Sequence, residues 1–442
     1  MLKRYFLSAV IMAAFLAVFG CTDRGTNVPD YYQTGPWGVW PRGDHVFDTL
    51  LALQMTNESK QLPTAILIPN EALSQNGGSP IPTLVLLAPE DADKFYYFNH
   101  GLLALYKAMV HSGEIQPMVI CCVGNDRVFG GYWYANSAPA GFYDGIIGAP
   151  GDSGLVQWIH ASIPATIDLP SKRGIGGIAT GSYGAFRAML KHPGTYSSIS
   201  VTDGPLDFDG LAGNTGLMPL FKTAMEEQLT YGHLGRGIRD SSGVIVRDTF
   251  IRFDSLKMSP ISRILLGGAY AFSPKDTGVS FSYFAINPNR DTVLLYTRRS
   301  ITDTASLVKR VIAPPRAYHR FDAAMPFYIN SDPALLPSGK ELGDVYDPIW
   351  GLWLQNNLDA LYANAGPDPL AGVNMFFATS QGSAFNYFPM TQSWITFLEG
   401  KGLTSQISEY RYQSDAGIDT YNRYTYDILR KMLKFHSDNF GR

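Results

Sequence analysis

Cysteine is scarce in this chain, with three in 442 residues. Two of them, Cys121 and Cys122, are neighbours within the apolar run Met118 to Val123. Neighbours in a strand point to opposite faces, which argues against a structural disulfide between them, and they read as small buried hydrophobes. No Cys/His spacing fits a metal centre, and neither metal nor cofactor is expected. Charge is also sparse: 17% of residues are charged and the formal net charge is −3. No basic stretch is interleaved with aromatics, which argues against nucleic acid as a partner. No internal repeat or low-complexity segment is visible. Histidine is missing between His319 and His436, and neither Asp nor Glu occurs from Gly372 to Leu398. Those two gaps bear on chemistry below.

What is present begins at the N-terminus. Lys3 and Arg4 precede an apolar run from Phe6 to Phe19. At about fourteen residues it is short for a membrane-spanning helix. Val18-Phe19-Gly20-Cys21 follows. This resembles a bacterial lipoprotein signal, in which the cysteine becomes the acylated first residue; the competing reading is an ordinary secretion signal with an incidental cysteine. The resemblance implies a signal peptide over 1–20, a lipid anchor on Cys21, a tether over 21–45 and a place in the bacterial cell envelope. Several acyl chains on one residue anchor a protein firmly. Thr22 stands where an inner-membrane retention signal would carry Asp, so the outer membrane is expected if the source is Gram-negative.

Beyond the tether, apolar runs alternate with helical periodicity. "TLVLLAP" (83–89) and "PMVICCV" (117–123) read as buried strands, the first as one covered on both faces, and "RGIGGIA" (173–179) reads as a further strand. Helical patterns follow at about 99–112, 155–169 and 181–193. The alternation predicts an α/β chain with a mostly parallel sheet and right-handed crossovers. It breaks over 206–347, which holds two helical patches, a predicted hairpin at 241–253 and a strand-like "DTVLLYT". It resumes over 348–442, where "PIWGLWLQNNLDALY" reads as one helix. The expected organisation is a core of 46–205 and 348–442 interrupted by an insertion or cap at 206–347. Asp240, Asp248 and Asp254 in the insertion read as solvated charge, because they have no compact ligand spacing.

"GGIATGSYGAF" (176–186) carries the chemistry. Glycines two residues before and after one position allow the tight strand-to-helix turn of a nucleophile elbow. Two registers compete. One places Ala179 at the nucleophile position; the other places Ser182 there. From Gly177 through Tyr183-Gly184-Ala185, Arg187 and His192-Pro193, the chain resembles the esterase family of α/β-hydrolases that includes S-formylglutathione hydrolases, feruloyl esterases and mycolyltransferases. The resemblance spans about 84–203, and 373 to the C-terminus more weakly. It implies an α/β-hydrolase fold and aligns Ala179 with the nucleophile. It aligns Ser383 with the acid, Ile418 with the histidine, and Ala88-Pro89 with the oxyanion motif. Pro89 also removes a backbone donor there.

An alanine has no nucleophilic atom, and the expected acid and base are replaced as well. The resulting expectation is a membrane-anchored pseudoenzyme that binds an ester-like ligand, a glycan or an envelope protein. Tyr132, Trp133 and Tyr134 are candidate lining of its cleft, with core packing as the alternative. The competing expectation is an active carboxylic-ester hydrolase with a shifted nucleophile at Ser182. Its base would be His436, which reads as a surface histidine, or His319.

Overall fold

The computed structural model describes 58–69, 80–125 except 91, 133–135, 147, 154–210 except 164, 216–230, 259–273, 325–328, 338–382 except 342, 385–412 and 420–441, with Ala72 and short strands within 32–55, 234–254, 280–298 and 320–323. Ten described strands form one sheet: β1 Tyr32–Gly35, β2 Gly38–Pro41, β3 Val46–Met55, β4 Glu58–Leu67, β5 Thr83–Leu87, β6 Val119–Val123, β7 Arg173–Ile178, β8 Ser198–Thr202, β9 Asn374–Ser380 and β10 Ile407–Tyr412. Their order is β1-β2-β3-β4-β6-β5-β7-β8-β9-β10. Pairing is antiparallel up to β4–β6 and parallel from β6 to β10. Counted from β3, this is the strand order of the α/β-hydrolase fold, whose second strand alone opposes the rest. The expected mostly parallel sheet is therefore present.

Every residue of β5, β6, β7 and β8 is buried, and in β5 and β6 the continuous apolar runs match cover on both faces. The described helices of eight residues or more, with one of seven, are α1 Leu102–His111, α2 Leu155–Ser162, α3 Thr180–Lys191, α4 Met218–Thr230, α5 Pro260–Phe272, α6 Asp347–Leu354, α7 Leu358–Asn364, α8 Tyr387–Gly400 and α9 Thr420–Asn439, of which α3, α8 and α9 pack directly on the sheet. Alternation along β9 sorts its neighbours. Phe377 stacks on Phe186 of α3, against Trp394 of α8, while Phe376 meets Phe435 of α9 on the other face. Burial pushes the thiol pKa of both Cys121 and Cys122 up, as inert core residues.

Several expectations shift locally. The helix expected over 348–362 is broken into α6 and α7. Asn357 lies between them, and its Oδ1 accepts from the amides of Leu358 (3.1 Å) and Phe208 (2.9 Å). It caps the second helix and ties it to the chain leaving β8. The periodic stretch 155–169 is helical only to Ser162, because Ile163 turns the backbone toward β5, where the amides of Ile81 and Ile167 bond the Ala165 and Ile81 carbonyls. The segment predicted as a hairpin at 241–253 pairs instead with the strands before it: 245–247 with 238–239, and 250–251 with 234–235. Of "DTVLLYT" only Thr297 is described, in a two-residue strand.

The chain between β8 and β9 docks on the core through aromatic rings. Trp133, from the chain after β6, meets Tyr183 of α3, Phe272 of α5 and Trp353 of α6 edge-on, with ring centres 5.4–6.2 Å apart. Its indole N–H donates to the Ile264 carbonyl at 3.0 Å. Phe208 completes the layer by stacking on Tyr183. Edge-to-face pairs of this kind add to the area they bury.

Candidate functional site

Strand β7 runs into helix α3 through Ala179. The backbone there is held at φ 53° and ψ −119°, a conformation sparsely populated by residues with a Cβ. Two glycines make the turn possible. A methyl group on Gly177 would lie 2.2 Å from the backbone of Gly181, and one on Gly181 would lie 2.2 Å from the Leu87 carbonyl oxygen at the end of β5. The Ala179 amide donates to the Thr202 carbonyl (2.8 Å), and its carbonyl accepts from the Ser182 amide (2.9 Å). This is the geometry of a nucleophile elbow, with a methyl group where an attacking oxygen would be carried.

In such a turn the amide of the next residue faces a developing oxyanion. Here that amide belongs to Thr180, and it donates to Glu90 Oε2 at 3.3 Å. The Thr180 hydroxyl donates to the same oxygen at 3.1 Å and accepts from Asn125 Nδ2 at 3.2 Å. Glu90 is buried. It stands beyond Ala88-Pro89, a loop fixed by the Ala88 amide on the Val123 carbonyl and by the Tyr134 hydroxyl on the Ala88 carbonyl. A carboxylate at a helix N-terminus satisfies orphan amides and the helix dipole. It also places negative charge where an esterase accumulates negative charge.

Asp203 follows β8 on the other side of the turn. Its backbone is in the left-handed region (φ 39°), and its amide donates to the Ala378 carbonyl at 3.0 Å. Oδ1 accepts from the Ser380 amide at 2.7 Å, and Oδ2 accepts from the Tyr412 hydroxyl. One side chain thus joins the ends of β8, β9 and β10. Burial pushes its pKa up to about 6, against the lowering effect of the bonds from Tyr412 and Ser380. Tyr387, the first residue of α8, is fully buried, and its phenol pKa is raised by burial, then by the nearby Glu90 and Asp203 carboxylates.

Ser182 does not resemble a nucleophile. It is buried, with Oγ 2.9 Å from the Gly177 carbonyl, 2.8 Å from the Thr202 carbonyl and 3.1 Å from the Thr202 amide, which donates to it. These are backbone partners that splice α3 to β7 and β8. His436 is not the surface residue expected. It is fully buried between Ser198 Oγ and Ser200 Oγ, each at 2.8 Å, and burial holds its pKa down to about 3. These serines lie at the start and middle of β8, whereas the elbow adjoins its end, so His436 is a core residue. Trp133 and Tyr134 do not line a cleft. Both are buried, Trp133 in the aromatic layer and Tyr134 against Gly184 of α3. Tyr132, Ser383, Ile418, Cys21, His319, Asp240 and Asp248 lie outside the described residues, as does the side chain of Asp254. No group of three or more His, Cys, Asp or Glu among the described residues could hold a metal ion.

Neither Glu90 nor Asp203 is singled out by the sequence. Glu90 is one acid in a loop, "APEDADK", with three. Asp203, in "SSISVTDGP" (197–205), lies outside the segment in which the acid is expected.

No family model matches the sequence, and none of the curated proteins matches it. Solved structures do. A ferulic acid esterase is 10% identical, with 90% of this chain and 100% of that one covered at a TM-score of 0.47. An S-formylglutathione hydrolase from Agrobacterium tumefaciens is 12% identical, covering 93% and 98% at 0.43. Mycobacterium tuberculosis MPT51 (FbpC1) is 11% identical, covering 89% and 99% at 0.42.

Proposed function

We propose that this α/β-hydrolase-fold chain is a binding protein that has lost esterase chemistry. The observation that supports it is the elbow itself: Ala179 holds the strained turn while the Thr180 amide beside it is occupied by Glu90. Without an attacking oxygen the covalent route has no first step. With a carboxylate on the oxyanion donor, a tetrahedral intermediate would meet repulsion where esterases supply stabilisation. One such donor alone is commonly worth about a hundredfold or more in rate.

Anchoring is part of the same proposal. The lipoprotein-like N-terminus supports acylation of Cys21 and exposure in the bacterial cell envelope, with an ester-like ligand, a glycan or another envelope protein as partner. The domain over 206–347 would act as a cap on the core. Metabolic labelling with a palmitate analogue, lost in Cys21→Ser, is the expected result for the anchor.

The catalytic half is tested with protein lacking residues 1–21. It should neither turn over p-nitrophenyl acetate nor be labelled by a fluorophosphonate probe. Ala179→Ser alone should stay inactive, because Glu90 remains on the Thr180 amide. Labelling that disappears in Ser182→Ala would overturn the proposal in favour of a shifted nucleophile.

A further inference from the structure

The sheet ends on an exposed strand. Among the described residues β10 pairs with β9 alone, in parallel register, and Ser408, Glu409 and Arg411 are exposed. The Tyr412 carbonyl accepts from the Gln381 amide just beyond β9 (3.3 Å). Successive residues of a strand direct their amide and carbonyl to alternate sides, so Ser408, Tyr410 and Tyr412 direct theirs toward β9. Those of Glu409 and Arg411 are aimed off the sheet. Such an edge is a template for another strand.

The side chains on this edge select the strand it takes. Glu409 and Arg411 lie on one face, joined at 3.0 Å, and Gln392 of α8 bonds both. Tyr410 lies on the other face, with the Lys431 ammonium 4.1 Å from its ring centre. A lone charge on an edge strand discourages pairing. Here two opposite charges stand two residues apart. Consider a second copy of the strand laid antiparallel, with Tyr410 opposite the partner's Tyr410 on a two-fold axis. Each Glu409 then faces the partner's Arg411. Moving the axis one residue either way puts Glu409 opposite Glu409, or Arg411 opposite Arg411. An axis between residues would set the outward amides of one strand against the inward ones of the other.

Backbone and side chains thus choose the same register. Glu409 and the partner's Arg411 become the hydrogen-bonded pair, exchanging N–H and carbonyl in both directions. Tyr410 falls at the non-hydrogen-bonded position, where facing side chains come closest and aromatic rings pair well.

We propose that this protein forms a two-fold dimer through β10, joining two sheets into one continuous sheet, with Tyr410 on the axis and Glu409 opposite the partner's Arg411. The pairing occupies both edges and so closes at two chains. It is independent of whether the elbow does chemistry.

The test is sedimentation velocity on protein lacking residues 1–21, a truncation that leaves every described element in place. Over concentrations from about 1 to about 200 μM a monomer–dimer equilibrium is expected, with a dissociation constant on the order of 10–100 μM for a small interface. Glu409→Arg and Arg411→Glu should each weaken it at least about tenfold, because like charges then oppose each other at both pairs. Both positions are exposed, so circular dichroism should show unchanged folding. Mixing the two single variants should restore dimers, since the cations of one face the carboxylates of the other. The double variant carrying both reversals should dimerise alone. Tyr410→Cys should crosslink to its own copy on mild oxidation, while Cys121 and Cys122 stay buried. A parent that remains monomeric throughout the range would overturn the inference. So would assemblies that grow beyond two chains, dimers that persist in both single variants, or single variants that fail to associate when mixed.

Discussion

Two buried groups titrate in opposite senses over the same acidic range, and their balance can be measured. His436 is neutral in the fold, its pKa held down from 6.5 to about 3. Its contribution to stability is complete above 6.5 and is lost as pH falls toward 3, because the unfolded chain takes up the proton first. Asp203 behaves in reverse. Its pKa is raised from 3.8 to about 6, so its contribution is complete below 3.8 and is lost as pH rises through 6. Each pKa unit is worth about 1.4 kcal/mol. The histidine therefore has about 5 kcal/mol at stake and the aspartate about 3, against a typical domain stability of roughly 5–15 kcal/mol. Between pH 6 and pH 4 the two slopes nearly cancel. Urea unfolding at pH 4, 5 and 6, followed by tryptophan fluorescence, should separate them. Asp203→Asn should lose about 2 kcal/mol relative to the parent between pH 6 and pH 4, and His436→Gln should gain slightly more than that. Comparing slopes rather than absolute stabilities removes the cost of each substitution and the titration common to all three proteins. Variants whose pH profiles run parallel to the parent would refute the burial of one or both charges.

Three further outcomes are expected. Ser182→Ala should destabilise the fold by about 1–3 kcal/mol in denaturant titrations, because the buried Thr202 amide loses its acceptor. Gly181→Ala should be far worse and give little folded protein by circular dichroism, since the methyl would press on the Leu87 carbonyl. Trp133→Ala should cost about 3–5 kcal/mol by the same titration, whereas replacing a residue that merely lined an open cleft would cost a fraction of that.

The sheet was legible because its central strands announce themselves. "TLVLL" and "VICCV" are apolar without alternation, and only burial on both faces accounts for that. The elbow was legible through Gly177 and Gly181, whose spacing encodes a close approach of backbones. The polar groups around it were not legible. Ala179 stands in the sequence at the apex of the turn, but Glu90 and Asp203 become partners through contacts across about 90 and 180 residues of chain, which no local pattern records. His436 was misjudged for a related reason. On α9 it sits among Lys431, Lys434 and Asp438, and only the packing of that helix on Ser198 and Ser200 reveals the buried face. Trp133 and Tyr134 show the limit again: an aromatic-rich loop suggests a binding surface, but these two rings serve packing.

The aromatic layer around Trp133 also determines how the molecule comes apart. Its rings come from the chain after β6, from α3, from α5 and from α6, so no cut in the sequence separates the excursion after β8 from the core without exposing indole and phenol faces to water. The two regions should melt as one calorimetric unit, with the van't Hoff enthalpy equal to the measured heat. Deleting the excursion should yield an aggregating remnant, not a minimal hydrolase core. However the segment was acquired, the fold now depends on it.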